Sequence, residues 1–274
     1  HLAKTAILEA GIAAHVELVE IATTGDVKDD LSLENDGGPG LFIKEIENTV
    51  FNGDADIAVH SAKDLPSAET PGLTLAAYLP REDAGDILVR RADAKKLCFI
   101  ATGSPRRRAQ LKPQYPCAAW MELRGNVETR LKKIAAGKAD ATVLAAAGLN
   151  RLGIQQWPGL VFEPIALADM VPACGQGAIA LQTRTEHAAM LSKVDHRPTS
   201  QAVKIERALL HALDGGCHTA AGIHFVDTAN ERTLHVYHEA SGRCNFDASN
   251  GALADPAAFV ARVAAAIQHS ADSP

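Results

Sequence analysis

The chain has 274 residues, of which 47% are hydrophobic and only 4% aromatic, and its formal net charge is −6. The negative charge argues against a general nucleic-acid-binding protein, because such proteins neutralise phosphates with an excess of Lys and Arg. No apolar run approaches the roughly 20 residues that a membrane-spanning helix needs. The length is typical of two or three domains, and their cores must consist mainly of Ala, Leu, Val and Ile.

Cysteine usage indicates a reducing compartment. The chain has five cysteines, which are Cys98, Cys117, Cys174, Cys217 and Cys244. The number is odd and no CxxC pair occurs, so neither a disulfide framework nor a zinc site is expected. The HxxH pair of His235 and His238 lies in a strand-like stretch and is only a weak signal for a metal site.

The first predicted element is a helix in "HLAKTAILEAGI", residues 1–12. In an α/β lobe such a helix follows a buried strand. The chain starts at His1 without an initiator Met. We therefore expect the natural protein to have further N-terminal residues that supply the first strand of this lobe.

A weak internal repeat is the clearest sign of domain organisation. Residues 38–61, "GPGLFIKEIENTVFNGDADIAVHS", run from glycine through a helix to a buried strand, and residues 124–146 do the same. Gly53 and Gly137 stand where a left-handed C-cap would end each helix. A helix followed by a buried strand is typical of a parallel or mixed sheet, so we predict two similar α/β lobes.

Turn-rich segments predict the domain boundaries. Residues 79–86, "LPREDAGD", separate the lobes, and residues 178–182, "AIALQ", read as a strand that returns to the first lobe across a hinge. A helix, alternating strands and a closing helix then predict a small C-terminal α+β domain. The predicted division is 1–80 with 175–194 for domain 1, 85–172 for domain 2, and 196–274 for domain 3.

The segment "CFIATGSPRRRAQL", residues 98–111, carries the strongest signal for a site. Ser104 is a good N-cap and Pro105 a good first helical residue. Three arginines then fall in the first turn, where the helix dipole disfavours cations. A bound anion would remove this conflict. The alternative is three solvated arginines on a helix surface.

Other cations stand at the ends of predicted elements. Arg124 and Arg130 flank the start of the second repeat helix, Lys44 lies near the start of the first, and Lys63 follows the strand "DIAVHS". The carboxyl ends of strands in α/β sheets are where ligands bind. Each residue alone is an ordinary surface charge, but together they indicate a small polyanionic ligand between the lobes.

Asp64 is a carboxylate at the same strand end. It is poorly suited to bind an anion, but it could stabilise a developing cation or accept an N–H of the ligand. An equally good reading is that Asp64 opens a turn before Pro66.

Cys217 follows Gly215 and Gly216 in "LDGGCH". The two glycines let the backbone approach another group closely. A nucleophile, an inert small residue and a point of covalent attachment all remain open on residue chemistry alone.

These motifs together resemble the porphobilinogen deaminase family, nearly end to end. The matching segments occur in family order and are "TTGD", "GGPGLFIKEIE", "ADIAVHSAKDLP", "REDAGD", "ATGSPRRRAQL", "LRGNVETRL", "LAAAGLNRLG", "CGQGAIALQ" and "LDGGCH". The resemblance implies two α/β lobes like those of periplasmic binding proteins, with a central cleft, and a third small α+β domain.

The resemblance also implies a covalent dipyrromethane cofactor, joined through a thioether to Cys217. Asp64 matches the catalytic aspartate. The positions that match cofactor-binding residues are Ser61, Lys63, Thr102, Ser104, Arg106, Arg107 and Arg130. We assign Arg124, Lys44 and Gln176 to substrate binding.

The implied activity is that of a transferase, hydroxymethylbilane synthase. Four porphobilinogen units would be joined head to tail on the dipyrromethane primer with release of ammonia, and water would then release the linear tetrapyrrole. The alternative is a non-catalytic or degenerate two-lobed anion-binding homologue, which would need neither Asp64 nor Cys217.

The sequence departs from the family pattern at three places, and we expect these departures to affect the reaction rate and the retention of the cofactor. The opening strand with its Arg and Ser is absent, Pro39 replaces a loop lysine, and Gly103-Ser104-Pro105 replaces Ser-Ser-Leu. The resemblance further implies a cytoplasmic monomer with porphobilinogen as its small-molecule substrate, no nucleic-acid or membrane partner, and no metal.

Overall fold

The computed structural model describes residues 1–21, 40–213, 220–249 and 251–271. The helices are α1 (Leu2–Glu9), α2 (Gly40–Asn52), α3 (Pro105–Leu111), α4 (Val127–Ala135), α5 (Ala146–Arg151), α6 (Arg197–Ala212) and α7 (Pro256–Ala271). The strands are β1 (Ala58–Ser61), β2 (Leu73–Tyr78), β3 (Asp86–Arg91), β4 (Phe99–Ala101), β5 (Ala119–Met121), β6 (Ala141–Ala145), β7 (Leu160–Ile165), β8 (Ile179–Arg184), β9 (Ala221–Asp227), β10 (Arg232–His238) and β11 (Gly242–Asp247). Two 3₁₀ segments cover Ala62–Asp64 and Thr185–Val194.

The first sheet has the order β1-β8-β2, and both pairings are antiparallel. Strand β8 lies between two strands that precede it by about a hundred residues, which confirms the predicted return of "AIALQ". Helix α2 packs on one face through Ile43 and Val50. Helix α1 packs through Ala3 with Leu181 and Leu191. The helix predicted in residues 1–12 and the helix predicted in the first repeat are therefore both present, as Leu2–Glu9 and Gly40–Asn52.

The second sheet is mixed, with the order β5-β4-β6-β3-β7. Strand β4 runs parallel to β5 and β6, whereas β3 runs antiparallel to β6 and β7. Amphipathic helix α4 buries Leu131 and Ile134 against this sheet, as its 3.6-residue period predicts. Both sheets carry helices and include strand pairs from separate parts of the chain, and the two-lobed mixed α/β fold predicted from the repeat is confirmed.

The third sheet is an antiparallel meander, β11-β10-β9. Ile223, Leu234 and Val236 alternate toward one face and pack against α6 and α7 through residues such as Leu209 and Phe259. Their period of two is what a sheet with one covered face requires.

Two chain crossings connect the first sheet to the second, and they are bonded to each other. The first crossing links β2 to β3 and the second links β7 to β8. The backbone N–H of Glu82 donates to Gly177 O at 3.0 Å, and the Gln176 side chain donates to Ala84 O at 2.6 Å. Gly177 has φ of +83°, and a Cβ there would lie 2.4 Å from Glu82 O. Only glycine lets the two crossings approach this closely.

Glu206 joins these crossings to the third sheet. Its fully buried carboxylate accepts from Arg81 at 2.6 and 3.1 Å, from Gly175 N at 2.7 Å and from Phe225 N at 2.8 Å. Burial by itself would raise the pKa of Glu206. The positive charge of Arg81 outweighs this effect and lowers the pKa to about 2.

No helix in the described part of the chain is long and apolar enough to cross a membrane. Within the same residues, no group of three or more His, Cys, Asp or Glu side chains is arranged to hold a metal ion.

Candidate active site

The carboxyl end of β1 leads directly into the 3₁₀ turn that carries Lys63 and Asp64. Ser61 ends the strand and is exposed, Lys63 is half-buried, and the Asp64 side chain is exposed. The Leu65 backbone N–H closes the turn by donating to Ala62 O at 3.3 Å, and Leu65 itself is buried. The turn is thus fixed at its base, while Asp64 is accessible to a ligand.

Helix α3 begins as the sequence predicts. Ser104 is its N-cap and accepts from the Arg107 backbone N–H at 3.4 Å, with Pro105 in the first turn. Thr102 is buried, and its hydroxyl accepts from the Ser104 N–H at 3.1 Å. These two predicted cofactor-binding residues shape the loop between β4 and α3.

Arg106 and Arg107 are buried and paired with Asp86 at the start of β3. Arg106 Nη1 donates to Asp86 Oδ2 at 2.8 Å, while Arg107 Nε and Nη2 donate to Asp86 Oδ1 at 3.0 and 2.7 Å. Each arginine also donates to a backbone carbonyl, Arg106 to Val171 O and Arg107 to Val143 O, both at 2.8 Å. Asp86 is only 2% exposed.

The Asp86 carboxylate supplies an internal anion beside the arginines at the start of α3, so the unfavourable helix terminus is compensated even without a ligand. A further anion bound at this terminus stays a prediction. The alternative of three solvated arginines is wrong, since Arg106 and Arg107 are 5% and 6% exposed. Burial opposes ionisation of Asp86, but the two guanidiniums outweigh it and hold its pKa at about 2.

Electrostatics link the Lys63 turn to these arginines and to Arg130 on α4. Burial, followed by the positive charge of Arg107, lowers the pKa of Lys63 to about 8, against the favourable charges of Asp64 and Asp86. The pKa of Arg130 is also lowered, first by burial and then by Arg107, with Asp64 opposing.

These shifts show an excess of positive charge in one region. Four cations, Lys63, Arg106, Arg107 and Arg130, act on one another here, against two carboxylates, Asp64 and Asp86. A group that bears several carboxylates would relieve both the burial penalty and the mutual repulsion. The donor set therefore fits a polycarboxylate such as dipyrromethane.

The lowered pKa of Lys63 predicts a pH effect on binding. As pH rises from 7 through about 8, Lys63 loses its proton, and kcat/KM for a carboxylate-bearing substrate should fall. Lys63→Arg should move this alkaline limb to higher pH, because a guanidinium stays charged. The measurement is the pH profile of kcat/KM for both proteins, and coincident alkaline limbs would contradict the assignment.

A rise in pH should change the stability contribution of Lys63 in the direction opposite to its effect on kcat/KM. Between pH 8 and the ordinary value of 10.5, the unfolded state binds the lysine proton and the folded state does not. The contribution of Lys63 to the free energy of unfolding therefore rises with pH in this window. Thermal denaturation of wild type and Lys63→Met over this range separates the effect on stability from the effect on binding.

The remaining predicted residues are spread around this cluster. Arg124 follows β5, is partly exposed and lies 3.2 Å from Glu122 Oε2. Arg130 donates through Nε to Gly125 O at 2.6 Å, which holds its side chain across the start of α4. Lys44 is exposed on α2.

Gln176, which the sequence analysis assigned to substrate binding, is buried between the two crossings. It is 1% exposed, donates to Ala84 O and Gly85 O, and lies 3.4 Å from Arg106 Nη2. Its contacts tie the two crossings to the arginine pair. Cys217 lies outside the described residues.

Two features of this site were missed from the sequence. Asp86 opens the strand "DILVRR", and a charged residue at the start of an apolar run could have signalled a buried partner for the arginines. His60, one residue before the end of β1, is 7% exposed. Its place in the motif "VHS" gave no separate signal.

Together, the fold and the charge cluster define a class of protein: a two-lobed α/β protein with a cluster of cations that fits an acidic small molecule and with an exposed aspartate, Asp64, on the adjoining turn. Comparison with known proteins narrows this class. A family model described as "Porphobilinogen deaminase, dipyromethane cofactor binding domain" matches residues 1–192.

Curated relatives agree with the family model. Porphobilinogen deaminase of Syntrophomonas wolfei is 41% identical over 220 residues, covering 77% of this chain and 71% of the relative. The protein of the same name from Caulobacter sp. strain K31 is 43% identical, with 78% and 68% covered. That from Coxiella burnetii strain Dugway is 40% identical, with 80% and 72% covered. The chain belongs to the porphobilinogen deaminase family.

Solved structures with partial similarity include the periplasmic VFT2 domain of BvgS from Bordetella pertussis. It is 21% identical with a TM-score of 0.37, over 56% of this chain and 66% of that one. An ABC transporter protein from Parabacteroides distasonis is 14% identical with a TM-score of 0.35, and 62% of each chain is covered.

Proposed function

We propose that the chain performs its family's reaction at the cluster of Lys63, Arg106, Arg107 and Arg130, with Asp64 as the catalytic carboxylate. The family activity is that of a transferase, hydroxymethylbilane synthase, with dipyrromethane as cofactor. Bound dipyrromethane supplies the free pyrrole carbon to which the first substrate unit is joined. The observation that carries the assignment of residues is the excess of positive charge around one accessible carboxylate.

The cations bind and orient the substrate. Porphobilinogen carries carboxylate side chains, and charge-assisted hydrogen bonds to Lys and Arg are the strong ones in proteins. Asp86 fixes Arg106 and Arg107 before substrate arrives, so little reorganisation is needed on binding. Lys63 and Arg130 are less tightly held and are the residues we expect to follow the substrate.

Asp64 acts where positive charge develops. When the C–N bond of the substrate's aminomethyl group breaks, the electron pair leaves with nitrogen as ammonia, and the pyrrole unit is left cationic. A carboxylate next to that cation stabilises it. We expect Asp64 also to accept a hydrogen bond from the pyrrole N–H.

We propose the same three domains as before: 1–80 with 175–194, 85–172, and 196–274. The membership of the three sheets supports this division, because no strand of one sheet pairs with a strand of another in the described residues. The Gln176 and Glu206 contacts lie where these domains meet. We further propose a cytoplasmic monomer that has no nucleic-acid or membrane partner.

The experiment that tests the activity follows ammonia release from porphobilinogen and detects the linear tetrapyrrole by mass spectrometry. Both signals are expected from the purified protein. Ammonia without tetrapyrrole, or neither, would contradict the proposed function.

Cys217 is proposed as the attachment point of the cofactor. Intact mass should exceed the sequence mass by two porphobilinogen units less two ammonia, and peptide mapping should place the adduct on Cys217. Cys217→Ser should lack the adduct, whereas Cys244→Ser, at a half-buried cysteine of β11, should retain it. An active protein with an unmodified Cys217 would overturn the anchor.

A further inference from the structure

A buried polar chain ends at His60, one residue before β1 leads into the Lys63–Asp64 turn. His60 Nε2 lies 2.9 Å from Gln182 Oε1, and Gln182 Nε2 donates to Glu47 Oε1 at 2.8 Å. The Thr70 hydroxyl donates to the other oxygen of Glu47, also at 2.8 Å. His60, Gln182 and Glu47 are 7%, 2% and 6% exposed.

The chemistry of each group fixes the direction of these hydrogen bonds. A carboxylate can only accept, so the atom of Gln182 that faces Glu47 is its NH₂ group. The amide oxygen of Gln182 then faces His60 and must receive a proton. His60 therefore carries a hydrogen on Nε2, and in the neutral ring Nδ1 is then the unprotonated nitrogen.

The chain connects three separate elements of the first lobe. Glu47 lies on α2, Gln182 on the central strand β8, and His60 on β1, one residue before the strand ends. Buried polar groups that are fully bonded rigidify their surroundings. The end of β1 is thus held to both the helix and the middle of the sheet at the point from which the Asp64 turn departs.

From this juxtaposition we propose that His60 is a positioning residue for Asp64: the chain Glu47–Gln182–His60 fixes the end of β1 and thereby the placement of the Asp64 carboxylate. This inference rests on the proposed role of Asp64. It concerns residues that touch neither substrate nor cofactor in the assignment above.

Burial favours the neutral imidazole that this role requires. It lowers the pKa of His60, opposed by the hydrogen bond that His60 donates to Gln182 and by the negative charges of Glu47 on α2 and Asp64 on the turn. His60 therefore remains neutral above its ordinary value near 6.5. Its one N–H is committed to Gln182, so the ring has a single orientation.

The direct test is a comparison of His60→Leu with His60→Gln. Leucine removes the N–H, whereas the glutamine amide can still donate to Gln182. We expect His60→Leu to lower kcat about 10-fold or more with KM nearly unchanged, as for a small misplacement of a reacting group. His60→Gln should recover most of this loss. Equal losses in both variants, or a loss mainly in KM, would overturn the proposal.

A second variant interrupts the chain without touching His60. Gln182→Met keeps the side-chain volume but removes both hydrogen bonds, and it should reproduce the fall in kcat. Thr183→Val is the matched control, since Thr183 is a neighbouring buried residue of β8 that donates to Asp56 O at 2.8 Å. It should lose comparable stability and keep its kcat. If Thr183→Val slows the enzyme as much as Gln182→Met, the effect is general loss of packing and the proposal is wrong.

A double variant separates this proposal from that of Asp64 itself. If His60 acts through Asp64, adding His60→Leu to Asp64→Asn should reduce kcat by less than about 2-fold further. Full additivity would refute the positioning role and leave Asp64 as proposed. Normal turnover of Asp64→Asn alone would instead refute the proposed function.

Nitrogen-15 NMR of His60 gives a readout that does not depend on turnover. At pH 7 the wild-type ring should show a protonated Nε2 and an unprotonated Nδ1, and Gln182→Met should lose this fixed tautomer. A wild-type ring protonated on Nδ1 would contradict the inferred hydrogen-bond direction.

Discussion

Asp86→Asn is expected to lower the free energy of unfolding by about 3–5 kcal/mol, the usual cost of removing one partner from a buried ion pair. The substitution keeps the size of the side chain but leaves the guanidiniums of Arg106 and Arg107 buried beside a neutral amide. Both lie within 2.7–3.0 Å of Asp86, and they are only 5% and 6% exposed. Chemical denaturation of the two proteins measures the difference.

The matched control is Glu163→Gln at the Arg90–Glu163 pair, which joins β3 to β7. This pair is as short, at 2.7 Å, but the Glu163 side chain is 43% exposed. Its loss should cost much less than that of Asp86, because solvent screens an exposed pair. Similar costs for Asp86→Asn and Glu163→Gln would show that the buried pair gives no more stability than a surface one.

The pH dependence of stability provides a second check on Asp86. Its pKa is about 2 in the folded protein, below the ordinary 3.8. The folded state therefore binds fewer protons than the unfolded state in this range. The stabilisation is present above pH 4 and is lost as pH falls toward 2. Asp86→Asn should lack this part of the acid sensitivity.

Local signals in the sequence were sufficient for much of the fold. Ser104 and Pro105 mark the start of α3 by their own chemistry, and the apolar period of α4 selects its buried face. The return of β8 could be predicted from its position after a turn-rich crossing. The start of α3 and the buried face of α4 depend on residues that are close together in the chain.

The contacts that define the site are not local. Asp86 and Arg106 are separated by 20 residues and His60 and Gln182 by 122, and no period or cap connects either pair. The sequence therefore indicates that the arginines need a neighbouring anion. It does not show that a side chain of the protein, and not only a ligand, supplies that anion. The carboxylate of Asp86 meets the same need, and it lies close to the arginines only because β3 pairs with β6.

The clustering of Lys63, Asp64, Arg107 and Arg130 was predictable in outline. All follow strands or begin helices in an α/β lobe, where such ends converge. The sequence does not show how far Lys63 and Arg130 are buried. This burial lowers the pKa of both side chains. Because burial disfavours the positive charges of Lys63 and Arg130, a carboxylate ligand would bind more favourably: its negative charge would offset the cost of burying them.

Asp64→Asn is expected to reduce turnover by at least about 10²-fold, in line with loss of a preorganised group that stabilises transition-state charge. The amide is nearly the same size and can still accept a hydrogen bond, so the change removes mainly the negative charge. Asp64 is exposed, and its loss should leave the free energy of unfolding almost unchanged. Single-turnover measurement of ammonia release from porphobilinogen isolates the step in which the cation forms.

Asp56→Asn is the control for this prediction. Asp56 is another exposed aspartate of the same lobe, 3.8 Å from Arg184 and two residues before β1. Its substitution removes the same charge from the lobe and should leave turnover unchanged, which separates a local effect of Asp64 from a change in the overall field. The Asp64→Asn protein should still carry the adduct on Cys217, so that any slow step is one that follows cofactor attachment. Near-normal turnover with the adduct in place would reduce Asp64 to the residue that opens the turn before Pro66.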